Sequence, residues 1–168
     1  LILGGGIVGL TIAYQLLERK ITKKVFIFDS EKSLGKHTSG RNSGVLHAGI
    51  YYKPNTLKAK VCVQGSKRLQ SWMIERKLKI NKCGKIVIPT EQDLDYQLDE
   101  LFLRGRSNGA EVYIIDQKEI NSIIQHATSP SGRAIWSPNT CVINPKEVIE
   151  ILQKDLKEKG VKIFLNTK

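Results

Sequence analysis

Apolar residues along the chain fall into short blocks whose spacing changes from one block to the next. Leu1 to Leu3 is an unbroken apolar run that reads as the end of a buried strand and leads straight into three glycines. Ile7, Leu10, Ala13, Tyr14 and Leu17 then recur at helical spacing, which predicts a helix stopping near Lys20. Lys24 to Asp29 (KVFIFD) is β-rich and too short for a helix, so it reads as a strand. Strand, helix and strand in this order make a βαβ unit compatible with a parallel sheet. Gly35, Gly40, Gly44, Gly49 and Pro54 break up residues 30–56, predicting loop with at most one short helix. Leu57, Val61, Gly65, Leu69, Trp72 and Met73 mark one face of an amphipathic helix over 56–77. A strand is expected over 85–89. Leu94, Leu98, Leu101, Phe102 and Gly105 mark a further helix, closed by Asn108-Gly109 as a left-handed cap. A strand over 111–115, a short helix over 117–124 and short extended pieces around Trp136 and Val142 follow. The last unit is sharply punctuated. Asn144 is an N-cap, Pro145 opens the first turn, and Glu147 is placed to bond back to the cap. Val148, Ile149, Leu152 and Leu156 form the buried stripe, Gly160 is the stop, and Val161 to Leu165 is a strand.

Composition narrows the class. With 168 residues, 40% hydrophobic and 26% charged, the chain suits one soluble globular domain of ordinary size, and it holds no apolar run of membrane-spanning length. Cys62, Cys83 and Cys141 form no C-x-x-C, and no cluster of metal-ligating residues appears, so no metal is expected and a reducing compartment is. No signal or transit peptide opens the sequence. The only methionine is Met73, so Leu1 is not the natural start and the chain reads as a fragment. Charge is uneven: residues 53–85 hold ten basic residues and one acid (Glu75), and residues 86–121 hold eight acids and three basic residues. The basic block suits an anionic substrate, phosphates or acidic lipid headgroups, or is a plain solvated helix face. No nucleic-acid-binding motif accompanies it, so nucleic acid is not an expected partner.

Gly4-x-Gly6-x-x-Gly9 matches the dinucleotide fingerprint, and its context strengthens it. It follows a strand, opens a helix, and is followed 20 residues after Gly9 by Asp29, at the end of the next strand. Gly4 permits the tight turn, Gly6 lets backbone approach a pyrophosphate, and Gly9 lets the helix pack on the strand. The backbone N–H groups around Ile7 and Val8, at the helix N-terminus, face phosphates, and Asp29 accepts from the adenosine ribose. A P-loop is excluded, because Gly35-Lys36 has Ser30 five residues earlier and Gly84-Lys85 has Lys79 there.

The segment His37-Thr38-Ser39-Gly40-Arg41-Asn42-Ser43-Gly44-Val45-Leu46-His47-Ala48-Gly49-Ile50-Tyr51-Tyr52 resembles the flavoproteins of the D-amino-acid-oxidase-like superfamily. More narrowly, it is similar to the L-2-hydroxyglutarate oxidase/dehydrogenase family, whose members carry nearly this string after the second strand. Leu57-Lys58-Ala59-Lys60, Cys62-Val63 and Cys83-Gly84-Lys85 match as well. The stretch from Pro138-Asn139 through Val142 to Pro145 matches more loosely. The resemblance covers the whole chain but only the N-terminal half of a family member. It implies an α/β fold: a Rossmann-like FAD-binding βαβ with a parallel sheet, plus part of an α+β substrate-side region. That fold would be incomplete, the rest lying in a completing C-terminal half.

The resemblance also implies non-covalent FAD, its ADP half on the glycine fingerprint and Asp29. Thr38, Ser39, Arg41, Asn42, Ser43 and Gly44 would pass beneath the pyrophosphate and ribityl chain. The residue types suit this, with hydroxyls and an amide as neutral donors, Arg41 as a cation for phosphate and Gly44 for close approach. The substrate implied is L-2-hydroxyglutarate or a related 2-hydroxy acid, oxidised to the 2-oxo acid. The alternatives are an amino acid, amine or glycerol phosphate substrate, or a catalytically silent fragment. His47 is the candidate for the base that takes the hydroxyl proton, or for a substrate or flavin contact, because imidazole titrates in the right range. Tyr51 and Tyr52 are substrate-side candidates, and His37 and His126 read as surface residues. Residues 1–54 would form the FAD-binding βαβ and flavin-contacting loop, 55–143 the excursion, and 144–168 the returning helix and strand. Electrons would pass to oxygen or a quinone pool, in a cytoplasmic protein or one peripheral on the inner face of the membrane.

Overall fold

The computed structural model describes residues 1–167. In chain order the elements are β1 (Ile2–Leu3), α1 (Ile7–Glu18), β2 (Phe26–Phe28), β3 (Val45–Leu46), α2 (Leu57–Glu75), β4 (Ile80–Asn81) and β5 (Lys85–Val87). They continue with α3 (Tyr96–Ser107), β6 (Tyr113–Asp116), α4 (Gln117–Ile123), β7 (Arg133–Ser137), β8 (Cys141–Ile143), α5 (Pro145–Glu158) and β9 (Lys162–Phe164). A single 3-10 turn at Thr38–Gly40 is the short helix allowed in the long loop. The chain divides into two compact units, Leu1–Gly44 with Asn144–Lys168, and Val45–Ile143.

The first unit is a parallel sheet in the order β1-β2-β9. Period-two alternation sorts its side chains. Ile2, Ile27 and Ile163 share one face, and Leu3, Phe28 and Phe164 the other. Ile27 is fully buried, together with Leu10 and Ala13 of α1 and Leu156 of α5, so the two helices pack over the isoleucine face. On the opposite face Phe28 and Phe164 stack at 4.7 Å, while Leu3 stays 79% exposed. Asn144 caps α5 as the sequence predicts, its side chain accepting from the Lys146 and Glu147 N–H groups. The return bond from Glu147 is not made; its carboxylate acts only as an acid in the first turn, where the helix dipole favours it. The reciprocal capping box belongs instead to α4, between Asp116 and Glu119. Asn144→Ala should lower stability by about 1 kcal/mol, read as a lower denaturation midpoint; an unchanged midpoint would mean that the cap contributes nothing.

The second unit holds two small antiparallel sheets, β3-β8-β4 and β5-β7-β6. Strands β3 and β4 are too short to show a period and were not legible in the sequence. A core of Ile50, Leu98, Val112 and Ile135 lies at or below 2% exposure, with Tyr51, Leu101 and Phe102 against it. Helix α2 corrects the expected apolar stripe. The residues it buries are Ala59, Ser66 and Met73, seven apart, whereas Leu57 and Val61 are 75% and 52% exposed. The helix packs through Ala59, Ser66 and Met73 at successive heptad positions and turns its basic face, with Leu57, Val61 and Ile74, outward. Gly109 closes α3 at φ +76°, the expected left-handed cap, and the Ala110 N–H returns to the Gly105 carbonyl.

Candidate functional site

In the first unit the glycine turn is built by close approach. Gly4 has φ +100°, a conformation costly for any other residue, and its N–H completes the sheet by donating to the Phe28 carbonyl at 2.8 Å. A Cβ on Gly9 would lie 2.0 Å from the Gly4 carbonyl oxygen, so α1 leaves β1 with no room for a side chain there. Gly6 is the N-cap of α1 and meets only the Ser39 hydroxyl, at 3.0 Å from a notional Cβ. Its first turn carries no acid and Gly6 offers no side-chain cap; the Ile7 N–H is taken by Ser39, and the remaining N–H groups around Val8, at the positive end of the helix, suit an anion.

Asp29 stands where the fingerprint requires an acid. Its Oδ2 accepts from the Gly5 N–H at 2.7 Å and its Oδ1 from the Glu31 N–H at 2.8 Å, which fixes the carboxylate against the glycine turn. Ser39 is brought to the same place, its Oγ accepting from the Ile7 N–H at 3.0 Å. Asn42 is committed to the loop itself: its amide donates to the Thr38 and Ser39 carbonyls and accepts from the Gly44 N–H. Thr38 and Ser43 are exposed. Arg41 lines an open cleft of about 440 Å³ together with Lys36, Lys146 and Glu150. His37 is a surface residue, as expected, and pairs with Glu31 at 3.0 Å. Hydrogen bonds from Lys36 and then His37 hold the Glu31 carboxyl below its usual range.

The second unit gathers a different chemistry. His47 meets the Tyr51 ring edge-on at 6.2 Å between centroids, and Lys85 places its Nζ 4.6 Å from the centre of the same ring. His47 is exposed over much of its surface, yet partial burial of the ring first, and the Lys85 charge second, push its pKa below the ordinary histidine value, which favours the neutral imidazole that can accept a proton. Tyr52 is half-buried, with the Lys58 ammonium 4.8 Å from its ring centre. Asn108 pins this segment by donating to the Gly49 and Tyr52 carbonyls at 2.9 and 2.8 Å. Gly49 abuts Val63, which a Cβ would approach to 2.6 Å. Gly84 lies on Trp136, where a Cβ would come within 1.9 Å of the indole, and this contact sets the start of β5 at Lys85.

Lys85, Asn108 and Gly84 carry no chemistry in the sequence reading. Asn108 reads there only as part of a helix cap, and Cys83-Gly84-Lys85 only as a string shared with the resembled family. Their roles depend on pairings across 56 and 59 residues for Asn108. Among the described residues no group of three or more His, Cys, Asp or Glu is placed to hold a metal ion, and no helix is long and apolar enough to cross a membrane.

A parallel βαβ with a glycine turn at the head of its helix and an acid at the end of its second strand defines a dinucleotide-binding α/β protein. The chain belongs to the family of FAD-dependent oxidoreductases, which it matches over residues 1–168. It is 40% identical over 164 residues to the mitochondrial L-2-hydroxyglutarate dehydrogenase of Caenorhabditis briggsae, covering 97% of this chain and 37% of that protein. It is 38% identical over 159 residues to the Dictyostelium discoideum protein of the same name, covering 94% and 36%. Among solved structures, dithionite-reduced L-alpha-glycerophosphate oxidase from Mycoplasma pneumoniae with FAD bound superposes with a TM-score of 0.85 at 23% identity, covering 99% of this chain and 44% of that one. The chain thus spans little more than a third of the length of these curated relatives.

Proposed function

We propose that this chain is the FAD-binding part of an enzyme that oxidises L-2-hydroxyglutarate, or a closely related 2-hydroxy acid, to the 2-oxo acid. The observation that carries the reading is identity of 38–40% along nearly the whole chain to proteins named for that substrate. The geometry of the glycine turn supports FAD as the cofactor. The open N-terminus of α1, with Gly4, Gly6, Ile7, Val8 and Gly9, would take the pyrophosphate and Asp29 the adenosine ribose. Ser39 keeps α1 and the 38–44 loop together, so Thr38, Arg41, Ser43 and Gly44 are carried by a loop tied to the cofactor turn. The cofactor would stay non-covalent, His37 being held by Glu31. Residues 1–54 and 144–168 carry the cofactor turn and the flavin-contacting loop in this reading, and 55–143 the substrate side, with His47, Tyr51 and Tyr52 of that loop folding in the second unit.

FAD, when bound, supplies the acceptor for the hydride that leaves the substrate carbon. The chain's own share is the proton. As the C–O bond becomes C=O, the neutral imidazole of His47 accepts the hydroxyl hydrogen, and Tyr51 and Tyr52 border that position. The basic stretch over 53–85 draws a dianion toward the unit by its field. The rest of the substrate domain would lie in the nearly two thirds of the relatives' length that this chain does not cover, and the electrons would finally reach oxygen or a quinone pool. A seat on an anionic membrane surface is the second use the basic stretch allows.

The test is the visible spectrum. This chain, mixed with FAD and gel-filtered, should keep the oxidised-flavin bands. The complete protein should lose them anaerobically on addition of L-2-hydroxyglutarate and keep them with glycine or glycerol 3-phosphate. Bleaching by either of the latter alone would overturn the substrate, and a complete protein that never retains flavin would leave a catalytically silent fragment as the better reading.

A further inference from the structure

Elsewhere among the described residues the half-buried cations have carboxylates beside them. Lys36 pairs with Glu31, Arg76 with Glu75 at 3.5 Å, Arg104 with Glu100 at 3.1 Å, and Arg133 with Asp95 and Asp99. Lys85 is half-buried and makes no ion pair among the described residues. Its one close partner is the face of Tyr51, which fixes where the ammonium sits but leaves its hydrogens without an anion. A partly desolvated cation held in one place without a counter-charge is a preformed carboxylate receptor. Gly84 and Trp136 set the backbone beneath it, and Asn108 sets the segment that carries Tyr51.

We infer that Lys85 is the residue that receives a carboxylate of the substrate beside His47, over the face of Tyr51. This deepens the proposed function and rests on it for the identity of the substrate. A consequence follows for the base. The charged and titratable groups around the imidazole are few. Lys85 comes from β5 and Tyr51 from the loop after β3. The Cys62 thiol of α2 donates to the His47 carbonyl, and Cys141 of β8 lies opposite Leu46; burial pushes both thiols up, so both stay neutral. Lys58 lies over Tyr52, one ring further along. Lys82 bears on Cys141, and among the described residues Lys85 is the charge that bears on the imidazole, one that a bound carboxylate can switch off. Neutralising it lets the imidazole hold a proton more readily, so His47 becomes a stronger base when a carboxylate is in place.

The test uses the complete FAD-loaded protein and glutarate, which has both carboxylates and no hydroxyl to oxidise. The His47 ring proton is followed by NMR against pH in the wild type, Lys85→Met and Lys85→Arg, with His47→Gln to assign the signal. In the wild type and Lys85→Arg, glutarate should raise the His47 pKa. In Lys85→Met the pKa should start higher, stay put when glutarate is added, and glutarate should bind about tenfold more weakly or worse. Lys85→Met that binds glutarate within threefold of wild type and shows the same His47 shift would overturn the assignment. If glutarate behaves as expected while L-2-hydroxyglutarate leaves the wild-type flavin oxidised, the carboxylate receptor stands and the proposed substrate falls.

Discussion

Gly9→Ala is expected to destabilise the protein by about 3 kcal/mol and to abolish flavin retention on gel filtration. The obstacle to the new methyl is backbone: the Gly4 carbonyl oxygen would be 2.0 Å away, and the Ile2 side chain 3.2 Å. A side chain could swing aside, but the Gly4 carbonyl is held, because the Gly5 N–H of the same peptide plane is bonded to Asp29. Helix α1 must therefore lift from β1, which disturbs both the open N–H groups at its start and the Ser39 contact to Ile7. Gly65→Ala is the matched control. Gly65 lies inside α2 with nothing within 4 Å of a notional Cβ, so alanine should stabilise that helix by about 0.5–1 kcal/mol. Equal flavin retention in Gly9→Ala and wild type would show that close packing of helix on strand is not what holds the cofactor.

His47→Ala in the complete enzyme should slow anaerobic flavin reduction about 100-fold or more while FAD stays bound. Binding should survive because His47 takes no part in the bonds that fix Asp29 and the glycine turn. The pH dependence has a definite sign. A base works when deprotonated, so the wild-type rate should rise with pH through the His47 pKa and level off above it. Burial and Lys85 hold that pKa below the usual histidine value, which places the rise on the acid side of it. In His47→Ala this rise should vanish. Stopped-flow reduction across the pH range reads both features, and a variant rate within threefold of wild type would remove His47 from the chemistry.

The parts of the fold that speak through local pattern were legible in the sequence. Ile7–Glu18 and Pro145–Glu158 emerge where periodicity and punctuation place them, because apolar spacing and caps act over a few residues. The geometry of the glycine turn was legible too, since its glycines and Asp29 lie within one βαβ unit. What stayed hidden depends on distant partners. Strands β3 and β4 are two residues each and exist because β8 pairs with both. Met73 is core as the one-dimensional pattern has it, but Leu57 and Val61 look like core there too, and only the packing partner selects Ala59 and Ser66 in their place. Lys85 is one lysine among ten basic residues in its stretch until Tyr51 is seen beneath it.

The first unit is discontinuous, and this orders its assembly. The central strand β2 has β1 on one side, reached through a local helix, and β9 on the other, with Ile27 opposite Ile163. Residues 45–143 form a unit whose contacts lie within one continuous stretch. A ribosome therefore releases everything that the second unit needs before it has made α5 or β9. The Phe28 flank of the sheet waits, unpaired, until Phe164 arrives. Closing that ladder across so long a loop carries a large entropic toll, which a prefolded second unit reduces by drawing Gly44 and Asn144 together in advance.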